Sequence, residues 1–204
     1  MQTARAITAT SSFGRPALQA EGADKAWIAA IAQGDRRAMN QLYTRHSVRV
    51  YRFILRLTRS ETVAEELVSE VFLDVWRQAG RFEQRSQVST WILAIARNKA
   101  ISAMRRRHDE ELDEDALAMI EDPCDDPEEA LEKSERSALL RKCLAQLSPA
   151  HREIIDLVYY HEKSVEEAAT ITGIPPATVK TRMYYARQQL AALVEKAEGG
   201  RMLS

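Results

Sequence analysis

The residues best suited to chemistry lie near the end of the chain, on one face of a predicted helix. That face carries the hydroxyl, phenol and cationic groups of Thr178, Lys180, Thr181, Arg182, Tyr184, Tyr185 and Arg187. Such groups donate hydrogen bonds and bear positive charge, as contact with DNA phosphates and base edges requires. The other face is apolar at intervals of three or four residues, which predicts an amphipathic helix. Its members are Val179, Met183, Ala186, Leu190 and Leu193.

The preceding segment predicts the first helix of a helix-turn-helix. Ser164 and Glu167 have the spacing of a capping box, which satisfies free N–H groups at a helix start. Gly173 suits a sharp turn because it adopts positive φ at little cost. Pro175 and Pro176 lack an N–H and are tolerated at the start of a helix. Two helices joined in this way place the second in the major groove of DNA. An ordinary helical hairpin with a solvated polar face has the same pattern.

Catalytic and metal-binding motifs are missing from the sequence. The chain has no G-x-S-x-G, no P-loop and no H-E-x-x-H, so a helical hydrolase has little support. Its 2 cysteines and 4 histidines form no close pairs with zinc-ligand spacing, so we expect neither a metal nor a cofactor. No apolar run approaches the roughly 20 residues that cross a bilayer. The absence of a disulfide framework suits a reducing cytoplasm. We therefore expect a cytoplasmic protein that is not an enzyme and is not inserted in a membrane.

The formal net charge of −1 hides an uneven distribution of charge. Residues 109–132 contain 13 acidic residues and no Lys or Arg, whereas residues 1–108 carry 18 basic and 9 acidic residues. Residues 133–204 carry 11 basic and 8 acidic residues, a surplus that an ordinary solvated surface explains equally well. Basic blocks attract phosphate because binding releases counterions. Since the acidic segment lies between two basic blocks, we expect it to cover them and to hold the free protein partly closed.

Helical periodicity dominates the sequence and predicts an all-α protein with two small helical domains. A charge-dense segment that is poor in aromatic residues separates them and predicts a flexible acidic linker. Arginine, serine and threonine near the start faintly resemble a transit peptide, but the favoured interpretation is a disordered tail. The predicted parts are a tail at 1–23, a first domain at 24–107, the acidic linker at 108–134, a helix-turn-helix domain at 135–197 and a tail at 198–204.

Three passages together resemble the extracytoplasmic-function sigma factors, the compact initiation subunits of bacterial RNA polymerase. They are AEELVSEVFLDVWRQAGRF at 64–82, STWILAIARNKAISAMRRR at 89–107 and LSPAHREIIDLVYYHEKSVEEAATITGIPPATVKTRMYYARQQL at 147–190. Their order and spacing make the resemblance specific, and it covers residues 24–195. It implies a protein that directs promoter-specific transcription initiation. A stand-alone helix-turn-helix regulator explains 164–190 but leaves the first two passages unexplained.

The resemblance implies that the first domain binds core RNA polymerase and opens promoter DNA at the minus-ten element. The residues that would dock on core polymerase are Glu66, Leu67, Glu70, Phe72, Leu73 and Trp76. For Phe72 and Trp76, burial in the core is the favoured interpretation. The residues that would meet the minus-ten element are Phe82, Gln84, Ser86, Arg97, Asn98, Lys99, Arg105 and Arg106. Gln87 would add a polar group for an unstacked base in the same loop. The terminal arginines also suit the negative end of the helix dipole.

The resemblance assigns the second domain to the minus-thirty-five element. The implied contacts are the polar-face residues from Thr178 to Arg187. The implied partners are core RNA polymerase, promoter DNA and an anti-sigma factor. Three positions depart from the family pattern, which often has glutamine at Ser69, aspartate at Ser102 and a basic residue at Tyr185. Tyrosine contacts a thymine methyl group or a phosphate but does not make the bidentate guanine contact of arginine.

Overall fold

The computed structural model describes residues 15–110 and 139–201, with side chains at 20–107 and 139–197. All regular secondary structure in these residues is helical, which confirms the all-α prediction. A 3₁₀ turn, Ala79–Arg81, follows α3, and a π-helical turn, Asp156–Tyr160, extends α6. The helices of the first half are α1 (Arg15–Ile31), α2 (Arg36–Thr58), α3 (Glu61–Gln78) and α4 (Val88–Glu110). Those of the second half are α5 (139–145), α6 (Pro149–Ile155), α7 (Val165–Thr172) and α8 (Pro176–Arg201).

The local signals at the helix-turn-helix are confirmed. The Glu167 N–H donates to Ser164 Oγ at 3.1 Å, and the Ser164 N–H donates to Glu167 Oε2 at 3.0 Å. This reciprocal pair is the predicted capping box at the start of α7. Gly173 ends α7 with φ of 69°, in the left-handed region that glycine adopts without strain. Pro176 begins α8, where a missing N–H costs no hydrogen bond.

The predicted domain boundaries differ from the helix ends. Helix α1 begins at Arg15, so the last part of the predicted tail is helical. Alanine recurs there beside single leucine, glutamine and glutamate residues, and all four residue types favour helix. The Glu21 carboxylate also accepts the N–H of Val88 at 3.1 Å, which ties α1 to the start of α4. Helices α4 and α8 continue past the predicted ends at 107 and 197. Residues 1–14, 111–138 and 202–204 lie outside the described residues, so the acidic linker stays a prediction.

The core of the first half is formed where α2 packs against α3 and α4. Its largest fully buried side chains include Leu42, Phe53 and Ile54 from α2, with Ile92 and Leu93 from α4. Burial of each such side chain stabilises the fold by about 1.5–3 kcal/mol. This packing fixes the relative positions of α3 and α4, which with the loop between them carry the predicted site residues of the first half.

The second half packs directly against the first. The main hydrophobic core continues into it through residues such as Leu157, Ala168 and Val179. Helix α7 lies against α4. A smaller cluster of Leu147, Ile155 and Ala186 stabilises the second half on its own account. The sequence predicts that the acidic linker holds the chain closed, but most of that linker lies outside the described residues. The contact described here is made by the helices themselves.

Candidate functional sites

Helix α8 presents a polar face opposite a buried stripe. Val179 and Ala186 are fully buried, which confirms the predicted apolar side. Because successive residues of an α-helix are about 100° apart, Thr181 lies about 200° from Val179, in the middle of the exposed face. Tyr184 and Tyr185 flank it and are 58% and 54% exposed. The helix therefore offers two phenols and a hydroxyl group at the centre of a surface that is open to a partner.

The borders of this face carry its charges. Lys180 and Arg187 lie about 100° and 80° from Val179, so both are on one border of the exposed face. Arg182 lies on the other border and is half-buried. In a helix placed in the major groove, central side chains meet base edges and border side chains meet the phosphates. Thr181, a hydroxyl at the centre of the face, is therefore suited to a base edge, whereas Arg187, a cation at its border, is suited to a phosphate.

Sequence reasoning missed one polar residue of this face. Gln188 is exposed and lies seven residues after Thr181, so both project from the same side of α8. Its Nε2 donates to the Tyr184 hydroxyl at 2.9 Å, and this contact orients both groups. The spacing of seven residues is a signal that could have identified it. A glutamine amide makes a bidentate contact with adenine, so Gln188 adds a group able to recognise a base.

Residues 97–99 of α4 point in three directions. Arg97 Nε donates to Glu153 Oε1 of the second half at 2.5 Å. Asn98 is exposed. Lys99 Nζ lies 2.9 Å from Asp74 Oδ2, so its side chain faces α3. Steps of about 100° around the helix account for this divergence. The sequence predicts DNA contacts from all three residues. In this conformation, however, the cations of Arg97 and Lys99 are paired with carboxylates of the protein.

Lys99 is bound firmly by the acidic helix. A second α3 carboxylate, Glu70 Oε2, lies 3.1 Å from its ammonium group. Burial lowers the pKa of Lys99, but the hydrogen bonds to Asp74 and Glu70 outweigh that effect and raise it. The ammonium therefore stays charged and close to α3. A predicted DNA contact and a predicted polymerase contact are thus neighbours that neutralise each other.

The predicted polymerase-docking residues of α3 divide into exposed and buried groups. Glu66 and Glu70 are exposed, and Leu73 is 47% exposed. Leu67 and Phe72 are each only 3% exposed, because their side chains belong to the hydrophobic core. The burial of Phe72 agrees with the favoured interpretation of this residue as part of the core. In this conformation the buried pair is not available to a partner but holds the exposed residues in place. Trp76 is half-buried against the same core.

Glu66 and Glu70 also line a shallow groove between α3 and the end of α4. Arg106 and Arg107 form its opposite wall. Arg105 and Arg106 are exposed, as contact with DNA phosphates would require. Arg106, a predicted DNA contact, is therefore exposed to solvent and also lies across the groove from Glu66 and Glu70, which are predicted polymerase contacts.

The loop between α3 and α4 combines an aromatic wall with polar groups. Phe82 is half-buried beside Trp91, with ring centroids 5.0 Å apart. Gln84 is exposed and has φ of 55°, in the left-handed region that non-glycine residues adopt at a cost. The Ser86 hydroxyl donates to the backbone carbonyl of Gln87 at 3.3 Å. Flat walls and amide groups in an exposed loop are suited to an unstacked base.

A buried lysine of the second half enters the end of this loop. Lys163 is 5% exposed, and its Nζ donates to Ser89 Oγ at 2.7 Å and to Thr90 Oγ1 at 3.0 Å. Gln87 Oε1 at 3.2 Å and Glu167 Oε1 at 3.1 Å are also within hydrogen-bonding distance, so the four oxygens share the three N–H groups of the ammonium. Burial lowers the pKa of Lys163, and Glu167 offsets part of that effect. Four oxygen atoms from both halves of the chain thus surround one ammonium group.

Glu167 completes this cluster from the second half. Burial raises the pKa of Glu167, but hydrogen bonds from Thr90 Oγ1, the Ser164 N–H and Lys163 outweigh it and hold the pKa below its ordinary value. The capping box that the sequence predicted therefore has a second use at the contact between the halves. Nothing in the local sequence indicates it, because Thr90 and Glu167 are 77 residues apart.

A second contact between the halves involves the π-helical turn. Asp156 forms an ion pair with Arg56 of α2. The Arg56 guanidinium lies 4.1 Å from the ring centroid of Tyr160. The buried ring of His161 packs edge-on to Phe53 with centroids 5.3 Å apart. These residues were also missed by sequence reasoning, since their partners lie about a hundred positions apart in the chain.

Comparison with known protein families matches both halves. Residues 42–110 match the family described as Sigma-70 region 2, and residues 137–190 match the family described as Sigma-70, region 4. The chain is 33% identical over 168 residues to RNA polymerase sigma factor CarQ of Myxococcus xanthus, covering 81% of this chain and 94% of that protein. It is 30% identical over 174 residues to ECF RNA polymerase sigma factor SigL of Mycobacterium tuberculosis, covering 83% and 96%.

Two solved structures have similar folds. The sigma factor RpoE of Bartonella quintana, in a co-crystal structure with the anti-sigma factor NepR, has a TM-score of 0.62 and 26% identity. The match covers 76% of this chain and 96% of that one. CnrH in complex with the cytosolic domain of CnrY has a TM-score of 0.63 at 24% identity, covering 85% and 98%.

Proposed function

The chain belongs to the extracytoplasmic-function sigma factors of bacterial RNA polymerase, and on that basis we propose how its two halves share promoter recognition. The protein directs promoter-specific transcription initiation, with core RNA polymerase and promoter DNA as its partners. Residues 42–110 match sigma-70 region 2, and residues 137–190, which include the helix-turn-helix, match region 4. A stand-alone helix-turn-helix regulator has no use for region 2, so that alternative is not favoured.

We propose that the first domain, residues 24–107, docks on core polymerase through α3. Glu66, Glu70 and Leu73 are its exposed contacts, and Trp76 contributes its accessible edge. An acidic surface with an apolar rim complements a basic partner surface and repels DNA phosphates. Leu67 and Phe72 support this surface from inside the core and make no proposed contact.

The minus-ten element is assigned to the loop at 82–87 and the outer face of α4. Asn98 is the proposed base contact, because its amide is exposed and makes bidentate hydrogen bonds. Phe82 and Gln84 would bound an unstacked base, and Arg105 would meet a phosphate. Arg97 and Lys99 would join these contacts only after leaving the carboxylates that hold them.

The second domain, residues 135–197, is proposed to bind the minus-thirty-five element through α8. The observation that carries this assignment is the exposed face opposite buried Val179 and Ala186, which presents Thr181 centrally and Arg187 at the border. A recognition helix requires this division between base-facing and phosphate-facing groups.

We further propose that the protein is not an enzyme and that it works in the cytoplasm, where it would join a polymerase that performs the chemistry. Among the described residues, no helix combines the length and apolar character that crossing a membrane requires. A similar sigma factor, RpoE of Bartonella quintana, forms a complex with an anti-sigma factor. We propose that an anti-sigma factor also binds this chain.

Run-off transcription tests the proposed function. The full-length chain is combined with sigma-free core polymerase and a library of upstream regions. The expected result is transcripts with defined start sites from a subset of templates, and none when either protein is omitted. Absence of promoter-dependent transcripts with every template, despite active core enzyme, would contradict it.

A further inference from the structure

We propose that Lys163 and Glu153 lock the free chain in a closed form in which the second domain occupies groups that the first domain uses for promoter DNA. The inference rests on the proposed function and adds a regulatory contact to it. The lock is built from side chains of the described residues, independently of the acidic linker.

The first part of the lock is the ammonium group of Lys163. Three of its four acceptors belong to the first domain, namely the side-chain oxygens of Gln87, Ser89 and Thr90. Gln87 belongs to the loop proposed to receive an unstacked base. An amide oxygen that already accepts from a lysine is not free to accept from the amino group of a base. Closure therefore competes directly with capture of a base at this end of the loop.

The second part is the ion pair between Arg97 and Glu153. It is bidentate, with Arg97 Nε to Glu153 Oε1 at 2.5 Å and Arg97 Nη2 to Glu153 Oε2 at 3.3 Å. Glu153 is buried, so the pair is shielded from solvent. Arg97 lies two turns after Thr90, hence both project from the same side of α4. The two parts of the lock thus cover one continuous strip of a helix proposed to bind DNA.

The strength of such a lock is limited by the cost of burying charge. Lys163 and Glu153 lose water in the closed form, and their new hydrogen bonds largely offset that loss. Opening returns both charges to water but also exposes part of the hydrophobic core that the two halves share. A DNA strand that uses the same polar groups can therefore displace the second domain only when its own contacts offset that exposure. If the closed form holds about 90% or more of the free chain, its apparent affinity for DNA is reduced about tenfold or more.

The test measures binding of a fluorescein-labelled single-stranded 12-mer of mixed sequence to the full-length chain. The opening variant carries Lys163→Met and Glu153→Gln, neither of which lies in the proposed DNA or polymerase surfaces. Its matched control carries Lys196→Met and Glu166→Gln, exposed residues with the same change in charge. We expect the opening variant to bind the 12-mer at least about tenfold more tightly than the control. The control should bind like the unmodified chain.

A second variant changes the first-domain side of the lock. It provides an independent test if the Lys163→Met, Glu153→Gln variant does not fold. Thr90→Val keeps the shape of the buried side chain but removes the hydroxyl that contacts Lys163 and Glu167. Thr170→Val, on the exposed side of α7, is its control. We expect several-fold tighter binding for Thr90→Val with unchanged helical circular dichroism. Equal binding by the folded opening variants and their controls would overturn the lock. Run-off transcription by the unmodified chain would show separately that the proposed function stands.

Discussion

Replacing Arg187 and replacing Thr181, two residues of α8, should affect different properties of DNA binding: the salt dependence of affinity and the preferred base, respectively. Arg187 lies at the border of the exposed face, where a phosphate contact is expected. Each phosphate contact contributes about 0.9 to the slope of log affinity against log salt. Between 50 and 200 mM salt, Arg187→Ala should therefore show about 3.5-fold less loss of affinity than the unmodified protein. The loss of affinity at fixed salt should be similar for all upstream sequences.

Thr181 should instead affect which base is preferred. Its hydroxyl donates to the Ala177 carbonyl at 3.0 Å, so its donor is already engaged within α8. The methyl group and the two acceptor lone pairs of the hydroxyl oxygen remain for a partner, and these suit a thymine methyl or an amino group. Thr181→Arg replaces them with a bidentate donor for guanine, worth about 1–3 kcal/mol of discrimination. The preference at one upstream position should shift toward guanine by about 5- to 150-fold.

The assay is selection of randomised upstream elements by holoenzyme formed with each variant, followed by binding at several salt concentrations. Lys196→Ala, an exposed lysine farther along α8, serves as the charge control and should change neither quantity. Unchanged base preference at every position with Thr181→Arg would refute the orientation of α8. An unchanged salt slope with Arg187→Ala would refute the phosphate contact.

The remaining predictions concern α3, α4 and the contact between the halves. Glu66→Lys with Glu70→Lys should abolish core-polymerase binding in a pull-down while helical circular dichroism is retained; continued capture at unmodified levels would contradict the docking surface. Asn98→Ala should weaken promoter opening by about 1–3 kcal/mol in permanganate footprinting, with rescue by a premelted bubble. Lys99→Met should weaken promoter opening less than Asn98→Ala does, because Lys99 has to leave two carboxylates of α3 before it reaches DNA. Because the folded pKa of Glu167 is lowered, its stabilisation is complete above the ordinary glutamate pKa and is lost as pH falls through the lowered value. Thermal unfolding against pH should therefore show an acid loss that Glu167→Gln reduces.

Local signals were enough to predict the helix-turn-helix. Ser164 and Glu167 act within three residues of each other, and Gly173 adopts its turn because of its own backbone. The stripe through Val179 and Ala186 follows from helix geometry alone. These features depend on neighbours in sequence, and the structure has each of them where the pattern predicts.

The contacts between the halves could not be predicted in this way. Lys163 has no unusual local pattern, and its first-domain partners lie more than 70 residues away in the chain. Only the folded arrangement shows that the lysine is buried. The capping residue Glu167 illustrates the same limit, since its spacing predicts a helix start but not the hydrogen bond from Thr90.

Helix α4 shows most directly what a linear resemblance leaves out. Treated as a passage of sequence, Arg97, Asn98 and Lys99 form one basic and polar group that would contact a DNA strand together. On a helix they diverge by about 100° at each step, so one faces the second domain, one faces solvent and one faces α3. In the closed chain Asn98 is therefore the member of the three that is free to meet DNA. Arg97 becomes available only when Glu153 moves away, which ties its role to the separation of the two domains.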